Sequence, residues 1–334
     1  MAASGRENKV SMNSQKLTIL VSNIKTTDYV QHLVQQVHAI APHAYIVTNE
    51  DLKTDPWLIG RIEIVFGSLD RNLFPQAHRL KWLQATGAGM EWAQHPEIMS
   101  HPVILTNVHI HAVQISEHLF GMLLMLTRRL QSAYRQQLES VWQRDTLLSD
   151  LEIIAGKTLC VVGLGSIGRR CAMLGKAHEM RVIGVRNHPQ ATPYVERVYG
   201  PGKIREALSQ ADVVIVVLPS TPHTGNLIGH REFAAMPKGV FFLNAGRGQT
   251  VDTDALVEAL GNGTVKGAGL DVVDPEPLPS NHPLWQMSNV IITPHTSGSF
   301  PRYNESATHI FLDNLRRYVK DEPLQFVVNK NKGY

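Results

Sequence analysis

Cysteine is nearly absent: the 334 residues hold two, Cys160 and Cys171. So sparse a pair builds no disulfide framework, which excludes the small secreted scaffolds and leads to the expectation of a reducing, cytoplasmic compartment. Long hydrophobic runs are lacking too. The longest, such as 160–164 and 213–218, fall far short of the roughly 20 apolar residues of a spanning helix, so no membrane partner is expected. Charge of one sign is scarce in excess, with 32 basic against 29 acidic side chains for a net +3, too little to make nucleic acid the expected partner. HExxH and paired CxxC motifs are missing as well, so no metal is assigned, although His109, His111 and His118 lie close together in the chain. Residues 1–16 contain no apolar segment and set Arg6, Lys9 and Lys16 against Glu7; they read as a flexible tail rather than a secretory signal, with an organelle-transit segment as the weaker alternative. What is present is ordinary globular composition, 43% hydrophobic and 18% charged, in a chain long enough for about two domains.

Short apolar runs alternate with helical spacing along both halves. Residues 17–22 (LTILVS), 44–47, 62–66 (IEIVF), 82–85 and 103–105 read as strands bounded by Gly, Pro, Asn or Asp, and Val30, Leu33, Val34 and Val37 recur at helical spacing after the first of them. Five strands with crossovers predict a flavodoxin-like, doubly wound parallel sheet. The spacing of Val113, Phe120, Leu123, Leu124 and Leu130 predicts one long helix over 111–133. A second series begins at Thr158 (TLCVVG, RVIGV, ADVVIVVLP, GVFFLNAG, VKGAGLDVV, NVIITPH), and its six strands predict a second doubly wound domain of Rossmann type. A last helix over about 301–318, with Ile310, Phe311, Leu315 and Tyr318 on related faces, is long enough to return to the first domain.

Gly163-Leu164-Gly165-Ser166-Ile167-Gly168 is a G-x-G-x-x-G between a predicted strand and a predicted helix. In that context the first glycine permits a tight turn, the second lets backbone approach a pyrophosphate, and the third lets the helix pack on the strand. Free N–H groups and the positive end of the helix dipole hold the anion. An NAD site ends its second strand in an acid that bonds the ribose hydroxyls. Here the strand runs into Arg186, Asn187 and His188, and a guanidinium suits a 2′-phosphate, so NADP(H) is expected over NAD(H).

Three polar residues stand at ends of the later predicted strands, where ligands of open α/β sheets bind. They are Arg247 after Leu243-Asn244-Ala245-Gly246, Glu276 within Asp271 to Pro277, and His295 after Thr293-Pro294. With these motifs in this order the sequence resembles the D-2-hydroxyacid dehydrogenases, among them the glyoxylate and hydroxypyruvate reductases. The resemblance implies Arg247, Glu276 and His295 as the catalytic three: a guanidinium fork for the substrate carboxylate, an imidazolium as proton donor, and an acid to brace it. It also implies Ser166, Ile167, Asn187, Pro219, Ala245 and Asp271 in the cofactor site, and the backbone amides of Ala88 and Gly89, within Thr86-Gly87-Ala88-Gly89-Met90, at the substrate carboxylate. A substrate-binding domain from 17–108 and 302–334, with a dinucleotide-binding domain over 109–301 inserted in it, follows from the same likeness. So does a homodimer formed through the long helix and the arm after it, on which Trp142 reaches a neighbouring active site.

The expected activity is therefore NADPH-dependent reduction of small 2-oxoacids to D-2-hydroxyacids. D-Lactate-type and phosphoglycerate dehydrogenation, and a dinucleotide-sensing, peptide-binding co-repressor, stay open as alternatives. Glu276 argues against formate dehydrogenases, which pair the histidine with glutamine. The sequence departs from the common family pattern after Thr106-Asn107, where Val108, His109 and Ile110 occupy the place of a customary glycine and one residue is deleted.

Overall fold

The computed structural model describes residues 17–22, 27–148 and 150–331; the tail expected over 1–16 lies outside them. Among the described residues the chain forms two compact units, one from 17–87, Trp92–Val108 and Asn304–Asn331, the other from Ala88–Glu91 and His109–Tyr303.

The first unit is built on β1 (Thr18–Val21), β2 (Tyr45–Thr48), β3 (Ile64–Phe66), β4 (Trp82–Gln84) and β5 (Ile104–Thr106). All five are parallel, in the order β2-β1-β3-β4-β5 of flavodoxin-like sheets. Strands β1, β3 and β4 are buried along their whole length, which is why they read as continuous apolar runs and not as alternation. The helix Thr27–Ile40 turns Leu33 and Val37 onto one side of this sheet. The helix Tyr303–Val319 supplies Phe311, Leu312 and Leu315 to the same core, with Phe311 stacked on Phe66 at 4.3 Å and on Trp82 at 5.5 Å. Buried polar groups at the sheet are paired. Trp82 Nε1 donates to Thr106 Oγ1, Thr106 Oγ1 donates to Gln84 Oε1, and Asn314 Nδ2 donates to that same oxygen, all at 2.8–2.9 Å.

The second unit carries seven parallel strands: β6 (Thr158–Val162), β7 (Arg181–Val185), β8 (Arg197–Tyr199), β9 (Val213–Val216), β10 (Val240–Asn244), β11 (Val265–Leu270) and β12 (Val290–Ile292). Their order is β12-β11-β10-β9-β6-β7-β8. Counting from β6, this is 7-6-5-4-1-2-3, the Rossmann arrangement extended by one strand, with its switch point between β6 and β9. Six strands were expected, and β8 is the seventh. It has three residues at the sheet edge, paired on one side only, and a run so short leaves no periodic signal.

The single helix expected over 111–133 is two, Ala112–Thr127 and Leu130–Leu138, parted at Arg129, whose φ is 57°. The break has a tertiary cause. Glu152 N–H donates to Thr127 O, so the returning chain takes one carbonyl that a continuing helix would have used, and Arg128 Nη1 donates back to Glu152 O. No helix among the described residues is long and apolar enough to cross a membrane.

Candidate active site

At the end of β6 the three glycines have separate roles. Gly163 has φ 107°, and a Cβ on it would stand 2.7 Å from Val217 O at the end of β9. A Cβ on Gly168, in the first turn of the helix Ser166–Ala177, would overlap Gly163 O. The protein's own packing therefore demands glycine at both. Gly165 differs: it is the exposed N-cap residue of that helix, and a Cβ there meets nothing within 4 Å. Packing asks for no glycine at 165, so the room it keeps is for something approaching the N–H groups of Ser166 and Ile167. A dinucleotide pyrophosphate fits this cradle.

Arg186 and Asn187 follow β7. The Arg186 backbone N–H donates to Tyr199 O, while its guanidinium makes no hydrogen bond or ion pair with the described residues. Pro219, after β9, accepts from Thr224 Oγ1 at 2.7 Å, and the Ala245 N–H is used on Val216 O at 3.2 Å.

Arg247, Glu276 and His295 leave the carboxyl ends of the adjacent strands β10, β11 and β12. Glu276 and His295 meet: Nδ1 of His295 lies 2.8 Å from Glu276 Oε2, and the other oxygen of Glu276 accepts from Val273 N–H at 3.1 Å. The acid is thus fixed by its own turn before it fixes the imidazole. His295 is in the left-handed region, φ 53°, held there by its N–H bonds to Asp271 O and Thr293 O, both 2.9 Å.

The turn that carries Arg247 is organised by Asn244, whose side chain accepts from Gly246 N–H and donates to Arg247 O. A Cβ on Gly246 would come within 2.6 Å of Leu218 backbone, and one on Gly248 would overlap Val273 O, so the loops after β9, β10 and β11 are mutually wedged. Arg247 Nη1 donates to Gly246 O and Nε donates to Glu91 Oε1, each at 2.7 Å. Its Nη2 presses on Gly89, where a Cβ would overlap it. The guanidinium and the Ala88–Gly89 turn expected at the substrate carboxylate therefore lie side by side.

Asp271 is 2% exposed, and its carboxylate accepts from Thr293 Oγ1 (2.6 Å), Thr296 N–H (2.9 Å), Ser297 N–H (3.1 Å) and Ser297 Oγ. It braces the loop on which His295 stands. His118 Nε2 lies 2.9 Å from Thr293 Oγ1 and belongs to the same brace. His111 is buried beside Tyr303, with Nε2 3.3 Å from the phenol oxygen. Burial, then the charges of His109 and Arg247, push its pKa down to about 4, so it is neutral near pH 7. Trp142 is 93% exposed.

Sequence reasoning missed Glu91 and Ser297 and gave no bracing role to His118 or Thr293. The signal available for Glu91 was an acid two residues beyond the Gly87-Ala88-Gly89 turn; for the brace there was none, because its members are spread over 118–297.

Residues 120–297 match the family described as D-isomer specific 2-hydroxyacid dehydrogenase, NAD binding domain. A glyoxylate/hydroxypyruvate reductase B of Enterobacter sp. (strain 638) is 43% identical over 169 residues, 48% of this chain and 50% of that protein. The chain spans about half the length of the D-3-phosphoglycerate dehydrogenases it matches at 30–31% identity. Among solved structures, a D-isomer specific 2-hydroxyacid dehydrogenase family protein from Aeromonas salmonicida subsp. salmonicida A449 aligns with TM-score 0.82 and 32% identity, over 95% of this chain and all of that one. A D-isomer specific 2-hydroxyacid dehydrogenase from Xanthobacter autotrophicus Py2, in complex with NADPH and MES, aligns with TM-score 0.80 and 25% identity over 96% and 99% of the two chains.

Proposed function

The chain belongs to the D-isomer specific 2-hydroxyacid dehydrogenase family, and from that premise we propose that it is an NADPH-dependent reductase of small 2-oxoacids, glyoxylate and hydroxypyruvate first among them. The observation that carries the reading is the 2.8 Å pair of His295 Nδ1 and Glu276 Oε2 at the carboxyl edge of the dinucleotide-type sheet. With Nδ1–H given to the acid, Nε2 is the nitrogen left to serve a ligand. Glu276 stabilises the imidazolium, and His295 passes its Nε2 proton to the C2 oxygen of the oxoacid as negative charge develops there. Arg247 takes the substrate carboxylate, with the amides of Ala88 and Gly89 closing the same clamp. When bound, the dinucleotide supplies the hydride. The same reading makes the protein a cytoplasmic homodimer, with exposed Tyr134, Leu138 and Trp142 covered by the second copy.

The test is NADPH oxidation with glyoxylate, hydroxypyruvate, pyruvate and phosphohydroxypyruvate. Turnover is expected with the first two. Turnover of the phosphorylated substrate alone would favour the second reading that the matched D-3-phosphoglycerate dehydrogenases suggest. Absence of turnover across the panel, with NADPH still bound, would favour a sensor. The cofactor preference rests on Arg186 and on the NADPH held by the Xanthobacter relative. Arg186→Asp is expected to lower kcat/KM for NADPH by about tenfold or more, the loss of a charged hydrogen bond, and to spare NADH. An unchanged NADPH to NADH ratio would remove Arg186 as the discriminator.

A further inference from the structure

We infer that Glu91 is the positioning residue of the carboxylate clamp, holding Arg247 by its Nε so that Nη2 is delivered to the Ala88–Gly89 turn; this rests on the 2-oxoacid reading of the same site. An arginine side chain swings its fork by rotation along the chain that carries it, and one hydrogen bond does not stop that swing. Here two of the three guanidinium nitrogens are tied, Nη1 to Gly246 O and Nε to Glu91 Oε1, both at 2.7 Å. The third, Nη2, is the one that lies against Gly89. Glu91 Oε2 reaches the same glycine, 2.8 Å from where its Cβ would stand, so acid, guanidinium and turn form one packed set. The set depends on side-chain length as well as charge: Glu91 opens the short turn Glu91–Gln94 and reaches back across Gly89 to the arginine. His111, whose pKa burial and then the charges of His109 and Arg247 push down to about 4, adds no second positive charge beside Arg247. With Glu91 gone, the fork keeps only the Gly246 carbonyl.

The test compares the wild-type protein with Glu91→Ala and Glu91→Gln, each loaded with NADPH. Glyoxylate kinetics are read beside calorimetric binding of oxamate, a carboxylate analogue that is not reduced. Glu91→Ala is expected to raise KM and the oxamate Kd about tenfold, the loss of one charge-assisted hydrogen bond, with kcat within about threefold of wild type. Glu91→Gln keeps a carbonyl oxygen to accept from Nε and is expected to stay within about threefold of wild type in all three quantities. A purely structural role would instead lower the thermal midpoint and kcat together. Should Glu91→Ala lose its thermal transition, Glu91→Asp, one methylene shorter, is read in its place with the same expected rise. Unchanged KM and Kd overturn the inference. So does tighter oxamate binding, which would make the acid a competitor for the guanidinium, and so does Glu91→Gln failing as Glu91→Ala does. If the wild-type protein turns over no oxoacid, the reductase reading falls, while the oxamate titration, which needs no turnover, still decides the role of Glu91.

Discussion

His295→Asn is expected to lower kcat for glyoxylate by about 10² to 10⁴, with the affinity for NADPH unchanged. Asparagine keeps a polar group of similar reach and tolerates the left-handed backbone that residue 295 adopts, so the fold and the loop survive the change. What disappears is a group that holds a transferable proton near neutral pH, since an amide does not titrate there. A loss below tenfold in a folded variant would exclude His295 from proton transfer.

The second large effect is expected at Arg247. Arg247→Ala removes charge-assisted hydrogen bonds worth about 1.5 to 3 kcal/mol apiece, so kcat/KM for glyoxylate is expected to fall by at least about tenfold, and by up to about 10² per bond lost. The variant also leaves Glu91 beside the clamp as an unopposed anion, which adds to the loss for any carboxylate. Arg247→Lys separates charge from geometry. An ammonium carries the charge, but it cannot hold the Gly246 carbonyl, Glu91 and a substrate in the fixed directions of a planar fork. It is expected to recover only part of the activity. Steady-state kinetics with glyoxylate check both variants, and a fall under threefold in Arg247→Ala would mean that the carboxylate is held elsewhere.

Much of this site was legible in the sequence because its chemistry sits next to rigid punctuation. The glycines at 163, 165 and 168 mark a turn between an apolar strand and a helix, and the structure explains two of them by contacts a Cβ would violate. Arg247, Glu276 and His295 were readable because each ends an apolar run, and adjacent strand ends bring them to one edge of the sheet. The pairing of Arg247 with Glu91 was not readable: 156 positions separate them, and neither residue alone calls for the other. Asp271 shows a different limit. The sequence offered it only as a cofactor residue by likeness, and its four hydrogen bonds to Thr293, Thr296 and Ser297 come from side chains and amides whose convergence depends on how one loop folds over β11. Among the secondary elements, β8 was too short to show a period, and the helix break at Arg129 was hidden because the apolar spacing continues across it.

The left-handed torsion of His295 has a consequence for how this edge of the protein can vary. A non-glycine residue there carries a conformational penalty of about 1 to 3 kcal/mol, offset by the carbonyls of Asp271 and Thr293 that hold its amide. Main-chain torsion therefore sets the direction in which the side chain leaves the backbone, and the contact with Glu276 then fixes the ring. Loss of the bonds that Thr293, Ser297 and His118 make in this brace is expected to shift the main chain that carries the ring, although all three lie outside the His295–Glu276 pair.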